Sequence, residues 1–488
     1  MQSLANFSDR HTVVARKEGR YLAFPDIAST RTGRLICVWR ESDCHVATES
    51  RLMLKISDDQ GATWSAERVL NPFCGHMPRI TVLASGEILI LDDGAPPAQE
   101  QEGAFWPSIY RSQDDGETFT AQPLSYGFGS CIPACPSFGP DRILPLAQDD
   151  WLCMSQIRLG TVRRSAWHTF ANMVYRSTDQ GKTWWADTPA CAETDLLLCE
   201  SGLTLLPDGR ILALYRTNSE RFEPVYWQIS EDRGRTWTAV KATPLVGHRP
   251  NVGLTGDGRL LVTYRNVSPD RGTCAWMGTL EALTQTDYLT QALVEDESLL
   301  VLHADRLVAH NDPARNSKCC FILRPISDRR YASATLALTY DASHACGNFG
   351  VQFGGAWRPL EGKGTIKIAL EPGTANPAVV VGNDPAAPSK GLEGEFSLSW
   401  MDYTTHEPRH LRDYHWQWSP VDGYPHARAQ STQLMLAPVN ASVSLGDMGY
   451  SGWTKVGEGE FLAAYHHVEE AGKNSYIQTT RIFAGDFA

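Results

Sequence analysis

One eight-residue phrase occurs four times in this chain: "SDDQGATW" from Ser57, "SQDDGETF" from Ser112, "STDQGKTW" from Ser177 and "SEDRGRTW" from Ser230. The recurring pattern is Ser-x-Asp-x-Gly-x-x-Trp/Phe. Ser and Asp side chains hydrogen-bond the backbone of a tight turn, Gly supplies a positive φ, and the aromatic ring packs beneath. The phrase therefore reads as a hairpin staple, and Asp59, Asp114, Asp179 and Asp232 are expected to form turns and to play no part in acid catalysis. A calcium loop would need alternating oxygen ligands ending in Glu, which the phrase lacks.

Between the copies runs a second pattern, a strand, a turn containing Gly and another strand. It reads "FPDIASTRTGRLICVWRE" from Phe24, "MPRITVLASGEILILDDG" from Met77, "SGLTLLPDGRILALYRTN" from Ser201 and "RPNVGLTGDGRLLVTYRN" from Arg249, with relatives starting at Cys135 and Gly449. These make six units. A repeat of roughly 40–50 residues built from strands marks a propeller or solenoid. Six four-stranded sheets set radially would close a ring with only short, protected edges, and "HTVVA" at His11 is placed to add an edge strand to the last sheet.

The net charge of −12 and the lack of any Lys/Arg run argue against a nucleic-acid or anionic-membrane surface. No apolar stretch approaches the ~18 residues of a membrane span. The opening "MQSLANFSDRHTVVARKEGR" lacks the layout of a secretory leader, which points to a cytoplasmic protein, or to a secreted one had a leader been removed. The 12 Cys are scattered without a CxxC pair, and no HExxH occurs, so reduced thiols are expected and no metal or cofactor is implied.

The four boxes resemble the Asp-box repeats of the sialidase (neuraminidase) superfamily, whose fold is a six-bladed β-propeller. The resemblance covers roughly residues 20–270 and 440–488; the box is specific for the fold and not for chemistry. It implies site residues by position. "CESGLTLLPDGRILALYR" is similar to the family segment with a Glu before the inner strand and an Arg after the turn, which gives Glu200 and Arg216. "DMGYSGW" looks like the segment carrying the family's tyrosine nucleophile, which gives Tyr450, and Arg249 opens the fifth inner strand where a further carboxylate-binding Arg is expected.

That set suits one substrate chemistry. A sialic acid carries a carboxylate on its anomeric carbon, so an anionic nucleophile would approach against like charge, whereas a neutral phenol would not. Glu200 is placed to take the phenol proton, and Arg suits the carboxylate because its planar fork makes paired, charge-assisted bonds. Taken singly, each residue also has a bland reading: a packed Tyr, a surface Glu, an Arg paired with a neighbouring acid.

The first unit departs from the family, which places Arg-Ile-Pro there; this chain has Ala23-Phe24-Pro25, so the first arginine of the triad is missing. Arg20 and Arg79 are candidate replacements, and Asp26 is a candidate second acid or a partner for Arg79. In "VWRESDCHV", Arg40 and Asp43 take the places of the family's Arg and general acid/base, with His45 as rival proton donor.

Residues 291–440 lack the repeat and carry alternating strands such as "YASATLALTY", "EFSLSWMDY" and "STQLMLAPV". The expected organisation is blades one to five in 1–290, a β-sandwich-like insert in 291–440 and a final blade in 441–488. The insert is read as a brace, or as a glycan binder through the aromatics of "YHWQWSP". The expected activity is that of an exo-acting, retaining glycoside hydrolase of sialidase type acting on a glycan substrate; the oligomeric state is left open. Two alternatives stay open on the sequence: a lyase or other exo-glycosidase using His45, His76 or His248, and a non-catalytic glycan-binding propeller.

Overall fold

The computed structural model describes residues 1–45, 47, 49–73, 75–94, 107–124, 137–161, 168–191, 198–217, 224–267, 271–284, 292–296, 317–322, 331–342, 349–353, 356–370, 378–383, 392–402, 408–418, 432–440 and 442–487. Strands dominate them, and Leu280–Thr284 is the one α-helix among the described residues. No described helix is long and apolar enough to cross a membrane. Cys37, Cys153 and Cys199 are buried thiols outside any disulfide.

The boxes behave as turn staples. In the first, Ser57 Oγ donates to Asp59 Oδ1 (2.8 Å) and accepts from the Gly61 amide (2.8 Å), and Asp59 also accepts from the Thr63 amide (2.9 Å) and hydroxyl (2.5 Å). The same four bonds recur around Asp114, Asp179 and Asp232. Each box glycine has φ between 78° and 88°, in the left-handed region where a Cβ is penalised. The Thr before the aromatic residue is thus a fifth member of the motif, one the sequence reading passed over.

The boxes also join units. The carbonyl just before each box glycine accepts from an arginine of the preceding unit: Arg481 to Gln60, Arg34 to Asp115, Arg111 to Gln180 and Arg176 to Arg233. Repetition of the box therefore repeats an inter-unit clamp.

The first unit is the antiparallel sheet Tyr21–Ser29, Leu35–Ser42, Ser50–Ser57 and Arg68–Asn71, and the second is Arg79–Val82, Ile88–Asp92, Ser108–Ser112 and Thr120–Pro123. The third is built on Trp151–Thr161, His168–Ser177 and Trp185–Cys191. The fourth comprises Leu198–Leu205, Ile211–Thr217, Pro224–Ser230 and the first part of Lys241–Leu254. The second part of that strand opens the fifth unit, followed by Leu260–Asn266 and Gly272–Gly278. The sixth holds Ser451–Gly457, Glu460–His467 and Tyr476–Phe483, with His11–Ala15 pairing antiparallel to Tyr476–Phe483 as its outer strand.

Apolar side chains fill the space between consecutive units. Ile36 and Val38 meet Ile88 and Ile90; Leu89 and Leu91 meet Trp151 and Cys153; Leu152 and Val174 meet Ile211 and Ala213. Leu212 and Leu214 meet Leu260 and Val262; Leu261 and Ala275 meet Phe461 and Ala463; Leu462 and Ala464 meet Leu22 and Cys37. The last pairing returns to the first unit, so the sheets form a closed ring. Alternate residues of each second strand point to opposite neighbours, as the period of two requires. The expected all-β propeller architecture is observed.

One boundary needs correction. "STQLMLAPV" was expected inside the 291–440 insert, but Gln433–Pro438 pairs with Gly272–Gly278 as the fourth strand of the fifth unit, with Gln2–Ser3 parallel on its far side, and is buried along most of its length. The described strands of the insert lie between Ala292 and Trp418, in two antiparallel sheets of five and four strands. The aromatics of "YHWQWSP" fall outside the described side chains.

Candidate active site

Three inner strands break register at the same level: between Ala23 and Asp26, between Leu198 and Ser201, and between His248 and Asn251. Bulges re-aim side chains, and two of these carry a non-glycine residue at positive φ ahead of a proline, Phe24 at 56° and Arg249 at 50°. The first two bulges contain Phe24 and Glu200.

Tyr450 is the centre of the site. Its hydroxyl donates to Glu200 Oε1 at 2.5 Å. Arg216 Nη1 bonds both Glu200 oxygens, at 2.8 and 3.0 Å, and also the Tyr450 hydroxyl. The Arg265 guanidinium carbon lies 4.3 Å from the centre of the Tyr450 ring, and that side chain is tied down by the carbonyls of Met448 (2.6 Å) and Gly446 (3.2 Å). Phe24 and His466 pack on the same tyrosine with ring centres 5.1 and 5.9 Å away. Gly449, at φ 80°, lets the backbone pass this close to Arg265, since a Cβ there would lie 3.0 Å from the Arg265 Cβ.

The electrostatics pair a neutral phenol with an ionised carboxylate. Burial opposes ionisation of Glu200, but Arg216 and then Arg249 overcome it and hold the carboxyl well below the usual range. Burial raises the Tyr450 hydroxyl above the ordinary phenol value, with Arg216 acting against it, so the phenol is neutral at rest beside an ionised carboxylate. Arg265 is pushed down to about 10 by burial and stays charged at neutral pH.

A second cluster adjoins this one. His76 Nδ1 is 2.8 Å from both carboxylate oxygens of Asp93, and Asp93 also accepts from the amides of Met77 (3.2 Å) and Gly139 (2.7 Å). Burial would raise the Asp93 carboxyl, but His76 holds it low, while burial and then Asp93 push its buried neighbour Asp92 up to about 7. At the rim, His45 Nδ1 lies 2.9 Å from the Tyr21 hydroxyl, and burial followed by Arg265 lowers this histidine to about 4.

The repeated box and the ring of sheets together decide the family, because the model of the BNR repeat-like domain matches residues 33–277, half of the chain. The chain belongs to the BNR repeat-like domain family. No curated protein matches it. Among solved structures, a protein of unknown function from Dyadobacter fermentans DSM 18053 is similar over 97% of both chains, at 14% identity and a TM-score of 0.55, so the two share a fold. The Hadza microbial sialidase Hz136 matches 54% of this chain and 57% of its own, at 17% identity and a TM-score of 0.42. An α-L-arabinanase of Penicillium chrysogenum matches 64% and 92%, at 14% identity and a TM-score of 0.43.

Within this BNR repeat-like chain, Tyr450, Glu200 and Arg216 come together as the sequence proposed, and Arg40 stands at the edge, its guanidinium carbon 5.5 Å from the Phe24 ring centre. Arg249 does not join them at the surface of the site. It is fully buried, with its two Nη atoms donating to the carbonyls of Ser201 (2.7 Å) and Pro140 (3.0 Å), so it acts on Glu200 only through its field. Arg79 is buried with Asp26 at 3.8 Å, and Arg142 takes Asp26 in two bonds of 2.9 and 2.5 Å. Asp26 is thereby an ion-pair hub, not a second acid. Arg20 bonds Glu41, and Ala23 stands buried in an apolar patch with Tyr21, Phe24, Met77 and Tyr450. Asp43 is exposed on the loop after Leu35–Ser42 and has no hydrogen bond to the cluster among the described residues; His248 is buried.

Arg265, Asp93 and His466 escaped the sequence reading, yet a signal for them was present. Arg40, Asp93, Arg216, Arg265 and His466 each stand seven residues past a turn glycine, namely Gly33, Gly86, Gly209, Gly258 and Gly459. Equivalent positions on equivalent second strands deliver these side chains to one end of the ring. Among the described residues, no group of three or more His, Cys, Asp or Glu is placed to hold a metal.

Proposed function

We propose that this chain is an exo-acting, retaining glycoside hydrolase that releases a terminal acidic sugar, of the sialic acid or related 2-keto acid class, through a covalent intermediate on Tyr450. The observation that carries the reading is the 2.5 Å hydrogen bond from the Tyr450 hydroxyl to a Glu200 carboxylate held ionised by Arg216. A general base within hydrogen-bond reach of a nucleophilic hydroxyl is the arrangement covalent catalysis needs. As Tyr450 Oη attacks the anomeric carbon, Glu200 takes its proton, and Arg216 stabilises the charge that develops on the phenolic oxygen. Tyrosine in this role is the known exception to the two-carboxylate scheme of glycosidases.

Arg216 and Arg265 flank the tyrosine and supply positive charge for a substrate carboxylate. Ala23 and Phe24 replace the third arginine with an apolar wall, so the acid is gripped from fewer directions, and the reading extends to smaller keto acids. A panel of aryl glycosides of sialic acid, its deaminated form, the eight-carbon keto acid, glucuronate and rhamnose tests it, with the first-formed anomer read by proton NMR. Turnover of a 2-keto acid with retention is expected. Inversion, or turnover confined to neutral sugars, would remove Tyr450 as nucleophile for an acidic substrate.

A further inference from the structure

A tyrosine nucleophile needs a second group that protonates the leaving oxygen and later activates water, and Asp43, His45 and His76 are side chains among the described residues able to carry that proton. Asp43 is exposed and has no hydrogen bond to the cluster among the described residues. His45 is engaged through Nδ1 by the Tyr21 hydroxyl at 2.9 Å and lies 3.7 Å from Asp447, and burial followed by Arg265 lowers it to about 4. His76 is different. Its Nδ1 faces both oxygens of a carboxylate that is itself buried and anchored by two backbone amides.

The position of this pair ties it to the nucleophile. The His76 ring packs edge-on against Phe24, with ring centres 6.1 Å apart, and Phe24 packs in turn against Tyr450. Met77, the next residue, lies in the apolar patch that contains Tyr450. Gly139 links Asp93 to Glu200: its amide donates to Asp93, and a Cβ on it would lie 3.3 Å from Glu200 Cγ. The charged groups near His76 include Asp93, Asp92 and His45. Asp92 and Asp93 are adjacent buried carboxylates, and like charges so close favour one shared negative charge, which His76 faces.

We propose that His76, oriented by Asp93, is the general acid/base partner of Tyr450, and that Asp43 is not. The assignment rests on the glycosidase reading above. With Nδ1–H held by Asp93, Nε2 is the nitrogen that exchanges protons. In the first half-reaction the bond from Tyr450 Oη to the anomeric carbon forms, and the bond to the leaving oxygen breaks. Glu200 takes the phenol proton and His76 gives its proton to the leaving oxygen. In the second, water attacks the anomeric carbon and gives a proton to His76, while the phenolate leaves and recovers its proton from Glu200. Asp93 is a positioning residue throughout.

The test compares His76→Gln, Asp93→Asn and Asp43→Ala on two glycosides of the same sugar, one with a nitrophenyl and one with an alkyl leaving group. His76→Gln is expected to slow formation of the glycosyl-enzyme on the alkyl glycoside by about 100-fold or more, and on the nitrophenyl glycoside far less, because a good leaving group needs no acid. Azide, which needs no base, should restore the second step and appear as a glycosyl azide. Asp93→Asn should show a smaller loss together with a shifted alkaline limb of the pH profile, and Asp43→Ala should behave as the parent. Thermal unfolding shows whether each variant is folded; if His76→Gln is not, His76→Asn is read in its place. A leaving-group-dependent loss in Asp43→Ala, or equal losses on both glycosides in the His76 variant, overturns this assignment alone. Absence of turnover by the parent on every glycoside overturns the glycosidase reading, and this assignment with it.

Discussion

The hydroxyl of Tyr450 and the carboxylate of Glu200, 250 positions apart in the chain, meet at 2.5 Å in a buried hydrogen bond. The sixth and fourth units of the ring therefore share one proton, and it is this proton that the proposed chemistry moves. Removing the hydroxyl takes away the nucleophile but leaves the Arg216 to Glu200 ion pair. Tyr450→Phe should lower kcat by about 1000-fold or more with an unchanged circular dichroism spectrum. Near-native turnover by a folded Tyr450→Phe protein would remove Tyr450 from the reaction.

Glu200 carries a second expectation. Its folded pKa lies below the unfolded value of 4.5, so its ionisation stabilises the fold above that pH, and the contribution is lost as pH falls below it. Urea midpoints of the parent should drop between pH 5 and pH 3 more steeply than those of Glu200→Gln, which should also lose about 100-fold or more in kcat. Parallel stability curves for the two proteins would contradict the depressed pKa.

Arg265 and Arg249 should respond differently. Arg265 lies on Tyr450, so Arg265→Lys should raise KM for an acidic substrate about tenfold through loss of the planar fork, and should also lower the unfolding temperature, because the side chain is buried on the carbonyls of Met448 and Gly446. Arg249 is buried on two backbone carbonyls, and Arg249→Met should cost about 3 kcal/mol of stability by leaving them unsatisfied. Its effect on turnover should follow the weakened field at Glu200. A raised KM in the Arg249 variant with native stability would restore that residue to substrate binding.

In the box, Ser57 is buried and both accepts from the Gly61 amide and donates to Asp59. Ser57→Ala should destabilise by about 1 kcal/mol and leave kcat and KM unchanged, as calorimetry and kinetics on one sample would show. A loss of activity at native stability would give the box a chemical role that its geometry does not suggest.

Much of this molecule was legible because its signals are periodic. Four boxes and six strand–turn–strand phrases announce a repeating sheet, and the triplet Tyr450, Glu200 and Arg216 sits where the phrases put it. Arg249 misled because position along a strand does not reveal a bulge: at φ 50° ahead of Pro250 the side chain turns into the core. Arg265 carried the better signal, since "LLVTYRN" and "ILALYRT" share a Tyr-Arg pair at the same place in the strand, and reading all units in one register past the turn glycine would have found it with Asp93 and His466. Gln433–Pro438 was misplaced for another reason. A strand that returns after an insert of more than a hundred residues, as the described strands from Ala292 to Trp418 show, leaves no local mark of the sheet it rejoins.

The pairing of His11–Ala15 with Tyr476–Phe483 governs how such a chain matures. The outer strand of the sixth sheet leaves the ribosome long before the strand it pairs with. Until that partner emerges, Val14 and Ala15 have no sheet to lie on, and the apolar sides of Leu22 and Cys37 face no neighbour. A nascent chain is thus an open arc with two sticky ends until Tyr476–Phe483 has been made, and a neighbouring nascent copy offers each end the same surfaces that closure would. Domain swapping between nascent copies is the failure expected of such an arc, and slowed translation ahead of Tyr476–Phe483 should lengthen the interval open to it.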